Sequence, residues 1–370
     1  MADGTGIEWT DATWNPIRGC SRVSEGCRNC YAETVAARFS GPGQPYEGLA
    51  RFVDRPDGAR EARWTGEVQL VEAHLTDPVR WQRPRRVFVN SMSDLFHEKV
   101  PDTAIDRVFA VMALAPRHTF QVLTKRPERL RAYCSDPGSP GRVARALIDN
   151  VLIERRWPFV GREAWPVQSI GDEEDPDDVT IPWPLPNVWL GVSVEDQVAA
   201  DTRIPILLAT QAAVRFISAE PLLGPVNVRW SLGEPINIAA GLLERGRFSP
   251  GLETLRGLDW IIVGGESGPG ARPFYAPWAR SILHQCQKAG VACFIKQMGG
   301  NVRDRNDAGF DGCENGWNLD DEGRVEHDIN GYSEEYQGAE VRIHLKDRKG
   351  GDWSEWPEDL RVREFPARPA

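Results

Sequence analysis

Short apolar runs that end in polar or glycine residues recur along this 370-residue chain. Each run has the length of a buried strand and is rich in β-branched or aromatic residues, which is typical of strands in a parallel sheet. The runs are RVFVNSMSD (86–94), TFQVLTKRP (119–127), VWLGVSVED (188–196), VRFISAEPL (214–222), DWIIVGGESG (259–268) and VACFIKQMGG (291–300). A further strand is expected just before Cys20, which brings the predicted number to seven.

Segments with the apolar spacing of helices lie between these runs. One is DTAIDRVFAVMALA (102–115), with Asp102 as its N-cap candidate, and similar segments cover 127–135, 197–210 and 276–290. Strands that alternate with helices predict βαβ units and a parallel sheet. The predicted fold class is therefore α/β, with a full or partial parallel (β/α) barrel of the TIM type.

The alternation of strands and helices is interrupted twice and ends after residue 300. Residues 133–187 contain the acidic GDEEDPDD and the proline-rich IPWPLPN, and residues 230–257 form a shorter interruption. We expect residues 1–300 to form the partial barrel, with its cysteine loop and these two insertions. Residues 301–370 are expected to form an irregular extension that packs on the barrel, with one strand at AEVRIHL (339–345).

In such barrels the functional side chains follow the carboxyl ends of the strands. The polar residues and glycines at these positions are the expected site residues. They are Ser91, Ser93, Asp94, Lys125, Arg126, Ser193, Glu195, Glu220, Gly264, Gly265, Glu266, Lys296 and Gln297.

Composition and charge limit the location and the partners of the protein. Hydrophobic residues make up 41% and charged residues 26% of the chain, as in an ordinary globular protein. The N-terminal residues have neither a basic region nor an apolar signal core, and the apolar stretches are too short to span a bilayer. We therefore expect a cytoplasmic protein without membrane contact, in which thiols stay reduced. The net charge of −10 argues against non-specific coating of nucleic acid but permits a local basic groove.

Three of the seven cysteines stand close together in the spacing C-x6-C-x2-C, at Cys20, Cys27 and Cys30. A structural zinc site takes four protein ligands, and no second pair of cysteines and no nearby histidine supplies a fourth. Three thiolates can instead hold three irons of a 4Fe–4S cluster and leave the fourth iron open to another ligand. Two alternatives stay open at this point, namely zinc with a distant fourth ligand and cysteines without a metal role.

A cysteine trio that follows the first strand of an α/β barrel and ends in C-x2-C resembles the cluster loop of radical S-adenosylmethionine enzymes. The chain also resembles an uncharacterised phage- and prophage-associated family of proteins with three-cysteine motifs. The matching stretches are EWTDATWNPIRGC…GCRNCYAE, FVNSMSDLFH, LTKRP, LGVSVE, SAEPLLGP, VGGESGPGARP, FIKQMGG and KDRKGGD…EWPEDLRVREFP. This resemblance covers nearly the whole chain apart from the two insertions.

The chain departs from the usual radical pattern in three respects. The first gap holds six residues where the superfamily has three, and Asn29 stands where an aromatic residue is expected before the last cysteine. The end of the second strand carries NSMSD, whereas the superfamily places a GGE-type motif there; GGES follows a later strand.

The resemblance implies a cofactor, S-adenosylmethionine, bound to the open iron and cleaved to a 5′-deoxyadenosyl radical. It implies that Ser91, Ser93 and Asp94 receive the cofactor ammonium and that Lys125 or Arg126 pairs with its carboxylate. Ribose contacts are expected from the fourth strand, with Glu220 in the same pocket and the glycine pair approaching the ligand closely. The implied cofactor-binding residues of the later strands are Ser193, Glu195, Glu220, Gly264 and Gly265. The expected catalytic residues, on the substrate side, are Glu266, Lys296 and Gln297.

The predicted function is a non-standard radical S-adenosylmethionine enzyme that acts on nucleic acid, in DNA modification or repair. The expected partners are a nucleic-acid substrate, a reductant of the flavodoxin or ferredoxin type and a partner protein. The alternative is a zinc- or cluster-stabilised module that binds nucleic acid or protein without radical chemistry.

Overall fold

The computed structural model describes residues 5–56, 58–149, 168–169, 179–232, 257–268, 270–305 and 340–367. Residues 150–167 and 170–178 of the first predicted insertion, residues 233–256 of the second, and residues 306–339 of the predicted extension lie outside the described residues. Contacts divide the chain into two compact units. The first unit is Met1–Gly191 with Thr210–Val214, and the second is Val192–Ala209 with Arg215–Arg368.

The strands are short, as is usual in α/β folds. They are β1 (Ala12–Trp14), β2 (Ile17–Arg18), β3 (Ala50–Asp54), β4 (Arg60–Trp64), β5 (Gln69–Leu70), β6 (Arg86–Val89), β7 (Thr119–Thr124), β8 (Gln168–Ser169), β9 (Val179–Thr180), β10 (Val188–Ser193), β11 (Val214–Ala219), β12 (Trp260–Gly264), β13 (Phe274–Tyr275), β14 (Ala292–Gln297), β15 (Val302–Arg305) and β16 (Glu340–Ile343).

The helices range from one turn to four turns. They are α1 (Tyr31–Arg38), α2 (Glu72–Leu75), α3 (Asp77–Arg80), α4 (Asp102–Leu114), α5 (Pro127–Cys134), α6 (Ser139–Leu147), α7 (Gln197–Leu208) and α8 (Ala276–Ala289). Among these helices, none has the length and apolarity that crossing a bilayer requires.

Seven strands form one sheet in the order β1-β6-β7-β10-β11-β12-β14. Neighbouring strands pair in parallel, as with Val87 opposite Phe120 and Ile262 opposite Phe294. Every residue of β10 and β12 is buried, as expected for parallel strands covered on both faces. All seven predicted strands, β1 included, are thus confirmed, and the α/β class with a parallel sheet of the kind that a partial barrel uses is confirmed with them.

The four predicted helices are present as α4, α5, α7 and α8. A small difference concerns the start of α4, where Pro101 is the N-cap and Asp102 is the first helical residue. Asp102 accepts a hydrogen bond from Arg129 at 2.9 Å. Its carboxylate also lies at the positive end of the helix dipole, so an acidic residue is favourable there although it does not cap the helix.

The first unit contains a hairpin that the sequence did not predict. Strands β3 and β4 pair antiparallel and pack against α1. The buried carboxylate of Glu33, on α1, accepts hydrogen bonds from Arg22 at 2.5 Å and from the backbone N–H of Trp64 at 2.7 Å. The buried charge is therefore paired, as burial requires, and it joins the helix to the hairpin.

In the second unit, the chain after residue 340 packs on the strands. The predicted strand at 339–345 is confirmed as β16, which pairs antiparallel with β15 beside β13. Residues 362–364 then run along β14, where Ile295 N–H donates to Val362 and Glu364 N–H donates to Cys293, both at 2.9 Å. Trp260 on β12 donates its indole N–H to the Glu364 carbonyl at 2.9 Å. The free edge of β14 is thus covered.

Candidate functional site

The three cysteines lie on one stretch between β2 and α1. Cys20 comes two residues after β2, Cys27 ends a 3-10 helix at Glu25–Cys27, and Cys30 is the N-cap residue of α1. All three are free thiols and none is fully exposed. Gly19 has a φ of +88°, and a Cβ there would lie 2.1 Å from the Glu67 carbonyl oxygen, so glycine is required just before Cys20.

The trio is close enough for the sulfurs to interact. Burial raises the pKa of the Cys20 thiol to about 12, and the negative charges of Asp94 and Cys30 act in the same direction. Burial also raises the pKa of Cys30, while hydrogen bonds from the backbone N–H groups of Glu33 and Ala32 and the positive charge of Lys125 lower it. Burial has the larger effect, so the pKa of Cys30 stays raised, and these groups offset only part of the cost of a thiolate there.

Within the described ranges, no three or more His, Cys, Asp or Glu side chains form a ready cage for a single metal ion. A tetrahedral zinc site with Zn–S bonds of about 2.3 Å needs sulfurs about 4 Å apart. Three free thiols on one stretch are the donor set that a four-iron cluster with an open iron would use.

An ion pair stands directly beside the trio. Asp94 accepts from the Arg126 guanidinium at 2.9 Å, from Thr124 Oγ at 2.7 Å and from Phe96 N–H at 2.9 Å. The same guanidinium donates to Ser21 Oγ at 2.8 Å and lies 4.0 Å from Cys20 Sγ. Asp94 and Arg126 were both predicted to contact the cofactor, and the structure places them as partners of each other.

Ser91 and Ser93 connect the loop after β6 to the strand that precedes the cysteines. Ser93 Oγ donates to the Ile17 carbonyl at 2.8 Å, and Ser91 Oγ donates to Asn15 Oδ1 at 3.2 Å. The Tyr31 hydroxyl, one residue after Cys30, donates to the Ser91 carbonyl at 2.7 Å. The predicted pair of serines therefore lies against the cysteine stretch.

Of the two cations predicted to pair with the cofactor carboxylate, Lys125 is the one whose ammonium can still bind a ligand. Its backbone N–H donates to Asp94 at 3.2 Å, and its charge acts on Cys30. Within the described parts of the chain, no carboxylate lies within ion-pair distance of its side chain.

His97 was left out of the predicted chemistry, and the structure brings it to the trio. The side chain is fully buried, and Nε2 lies 2.9 Å from Ser21 Oγ. Nδ1 accepts from Lys99 N–H at 3.2 Å, so the proton resides on Nε2, which donates to the serine. Burial and the charge of Arg126 lower the pKa of His97. The signal in the sequence was its place three residues after Asp94 in the same loop.

In the second unit, four predicted residues meet at the carboxyl ends of β11, β12 and β14. Lys296 Nζ lies 2.5 Å from Glu220 Oε1, and Gln297 donates to the same oxygen at 3.4 Å. A Cβ on Gly264 would lie 3.3 Å from the Glu220 side chain, which crosses this glycine. The amide oxygen of Gln297 is buried and has no hydrogen-bond partner among the residues that the structure describes.

The glycine pair of the GGES stretch has a packing role. A Cβ on Gly265 would lie 2.2 Å from the Met298 carbonyl oxygen, and Gly265 N–H donates to the Gln297 carbonyl at 2.9 Å. The adjacent Glu266 pairs with Arg272, whose backbone N–H donates to it at 2.9 Å. Close approach of two backbones therefore requires Gly265, whether or not a ligand binds.

Ser193 and Glu195 are buried after β10. Glu195 forms a two-pronged ion pair with Arg203 at 2.8 and 3.1 Å, and Arg203 also donates to the Ser193 carbonyl at 2.7 Å. The structure thus brings one set of predicted residues together around Cys20, Cys27 and Cys30 in the first unit. In the second unit the predicted residues make separate contacts: Glu220 with Gly264, Lys296 and Gln297, Ser193 and Glu195 with Arg203, and Glu266 with Arg272.

No curated protein and no solved structure matches this chain significantly. One family model, described as a protein of unknown function (DUF5131), matches residues 4–349, which is nearly the whole chain. The protein therefore belongs to the DUF5131 family.

Proposed function

We propose that the protein is a non-standard radical S-adenosylmethionine enzyme whose 4Fe–4S cluster is held by Cys20, Cys27 and Cys30. The observation that carries the proposal is the gathering of three free thiols on one stretch that a buried ion pair holds in place. A trio of thiolates without a fourth protein ligand leaves one iron open.

The surroundings of the trio suit an iron–sulfur cluster. Backbone N–H groups of Ala32 and Glu33 point at the Cys30 sulfur, and hydrogen bonds to sulfur are among the features that tune such clusters. The charges of Arg126 and Lys125 offset part of the negative charge that three thiolates bring. When bound, the cluster supplies the electron that cleaves the sulfonium of the cofactor.

The residues of the first unit then have distinct tasks. Arg126, through Asp94 and Ser21, fixes the position of the stretch that carries Cys20. Lys125 is the cation that we assign to the carboxylate of the cofactor, because its ammonium is not committed to a described carboxylate. Ser91 and Ser93 are acceptors for its ammonium. The cofactor and substrate contacts assigned to the second unit stay predictions.

We further propose a nucleic-acid substrate and a reductant of the flavodoxin or ferredoxin type. The arginine-bearing loops RPRRV and TKRPERLR support a local phosphate contact, although the net charge of −10 opposes extended binding. The cytoplasmic location, a partner protein and the association with phages stay predictions.

One observation favours the alternative of a metal-stabilised binding module. Asp94 and Arg126 satisfy each other beside the trio, so two groups assigned to the cofactor already have structural partners. A cysteine stretch fixed by this ion pair would also suit a metal site whose only role is to stabilise the fold.

Anaerobic purification with iron and sulfide analysis tests the proposal. We expect about four irons and four sulfides per chain, and release of 5′-deoxyadenosine when the reduced protein meets S-adenosylmethionine. Stoichiometric zinc without absorbance near 400 nm would support the binding module. Four irons per chain without cleavage of S-adenosylmethionine would support the cluster and refute the radical reaction.

A further inference from the structure

A cavity of about 380 Å³ lies in the second unit, beside the loops that follow β12 and β14. Its volume is within the range of small-molecule sites. Gly299 and Gly300 form part of its wall, and Gly299 has a φ of +87° with room for no Cβ, because Glu266 O would lie 2.4 Å away. Part of the wall is therefore bare backbone, which a ligand can approach closely.

The side chains that line the cavity include two arginines and a histidine beside the apolar Val302, Ile343 and Leu345. Arg342, His344 and Arg348 are exposed residues of its wall. As far as the structure describes the chain, neither guanidinium has a carboxylate within ion-pair distance. The one acidic residue of the wall, Asp347, is occupied, since its carboxylate accepts from the N–H groups of Lys349, Gly351 and Asp352 at 2.7–3.1 Å.

The strand register places a second arginine beside Arg342. Arg303 on β15 is directly opposite Arg342 on β16 in the antiparallel pair, so both side chains leave the same face of the sheet. Arg303 itself donates to Asn301 Oδ1 at 3.3 Å, which keeps its guanidinium beside the strand.

Arg342 and Arg303 form a row across the sheet, and an aromatic pair, Tyr275 and Trp278, continues it. Tyr275 on β13 is in register with Arg303, and its ring centroid lies 4.6 Å from that of Trp278. Both rings are half-buried and thus partly accessible. Arginines beside an accessible aromatic surface are typical of sites that bind a phosphate and stack a base.

We propose that this cavity and the adjoining row bind a phosphate-bearing nucleotide, either free or as a unit of a single strand. The guanidinium groups of Arg342 and Arg348 bind the phosphate, and the aromatic pair offers a surface for the base. The cavity contains no cysteine, so the inference does not depend on the proposed radical chemistry.

Binding by the full chain tests the inference. The probes are a fluorescein-labelled 12-mer of deoxythymidine, measured by anisotropy, and adenosine monophosphate, measured by calorimetry. The double substitution Arg342→Gln with Arg348→Gln is expected to weaken binding at least tenfold. Loss of two phosphate contacts should also reduce the slope of log affinity against log salt by about 1.4.

The matched control removes two exposed charges elsewhere, with Arg51→Gln and Lys288→Gln, and should change affinity less than twofold. Both pairs are exposed, so the unfolding temperature should stay unchanged. Arginine-dependent binding of the 12-mer supports a strand as ligand. The same dependence with adenosine monophosphate alone supports a free nucleotide. Binding of neither probe, or equal losses in both double variants, would overturn the inference. Iron content is irrelevant to each outcome, so failure here is distinct from failure of the proposed function.

Discussion

The guanidinium of Arg126 lies 2.9 Å from the Asp94 carboxylate, and both side chains are about nine-tenths buried. A carboxylate in such a place depends on its cation, because removal of one partner leaves an uncompensated buried charge. The pair also joins the loop after β6 to the cysteine stretch through Ser21.

Substitution Arg126→Gln should lower the free energy of unfolding by about 3 kcal/mol, because Asp94 then loses its counter-charge. Urea denaturation measures this change. The double variant Asp94→Asn with Arg126→Gln should recover part of the loss, since no unpaired charge remains. If the single and double variants are equally unstable, the ion pair does not explain the stability.

Each of Cys20→Ala, Cys27→Ala and Cys30→Ala should abolish iron retention under anaerobic purification, because two thiolates do not hold the cluster. Cys134→Ala is the matched control, since Cys134 is a free, buried thiol of α5, and it should keep its iron. Normal iron content in Cys27→Ala would mean that the six-residue gap does not separate two ligands.

Substitution Gly265→Ala should destabilise the folded protein far more than Gly264→Ala. The new methyl group at 265 would lie 2.2 Å from the Met298 carbonyl oxygen, whereas at 264 it meets the Glu220 side chain at 3.3 Å. Overpacking against backbone should lower the free energy of unfolding by about 3 kcal/mol, and contact with a side chain by about 1 kcal/mol or less. Chemical denaturation of both variants checks the order, and similar losses would contradict it.

His118 makes stability depend on pH. Burial lowers its pKa from 6.5 to about 4, and the neutral ring accepts from Arg85 N–H at 3.2 Å and donates to the Pro78 carbonyl at 3.0 Å. The unfolded chain binds more protons between these two pKa values, so this stabilisation is complete above pH 6.5 and is lost as the pH falls towards 4. The loss amounts to about 3 kcal/mol.

Urea denaturation between pH 7 and pH 4 measures that slope. The variant His118→Gln should be less stable at pH 7 and should show a shallower slope over the same range. An unchanged slope would mean that other groups, such as His97 with its lowered pKa, carry the dependence.

The sheet could be predicted because the information is local. Runs such as 260–264 are apolar throughout, and helix-like segments separate them, so their buried, parallel pairing follows from the pattern. The hairpin β3–β4 could not be predicted, because its strands alternate poorly and its packing on α1 uses contacts distant in sequence, namely a small alanine cluster and the buried carboxylate of Glu33.

The sequence predicts which residues belong to the candidate site, but it does not predict which of them form pairs. Strand endings identify Asp94, Arg126, Glu220 and Lys296, since the fold brings such positions to the carboxyl ends of the strands. Which carboxylate meets which cation depends on side-chain geometry that no spacing reveals. His97 was missed for the same reason, because its contact with Ser21 joins residues 76 positions apart.

The pairing of residues 362–364 with β14 has a consequence for synthesis of the protein. Glu364 contacts Cys293 across 71 positions of the chain, so β14 emerges from the ribosome well before its outer partner exists. During that interval the strand presents unpaired backbone groups to other nascent chains. A chain that terminates before residue 362 should therefore aggregate or bind chaperones, even though it contains every strand of the main sheet.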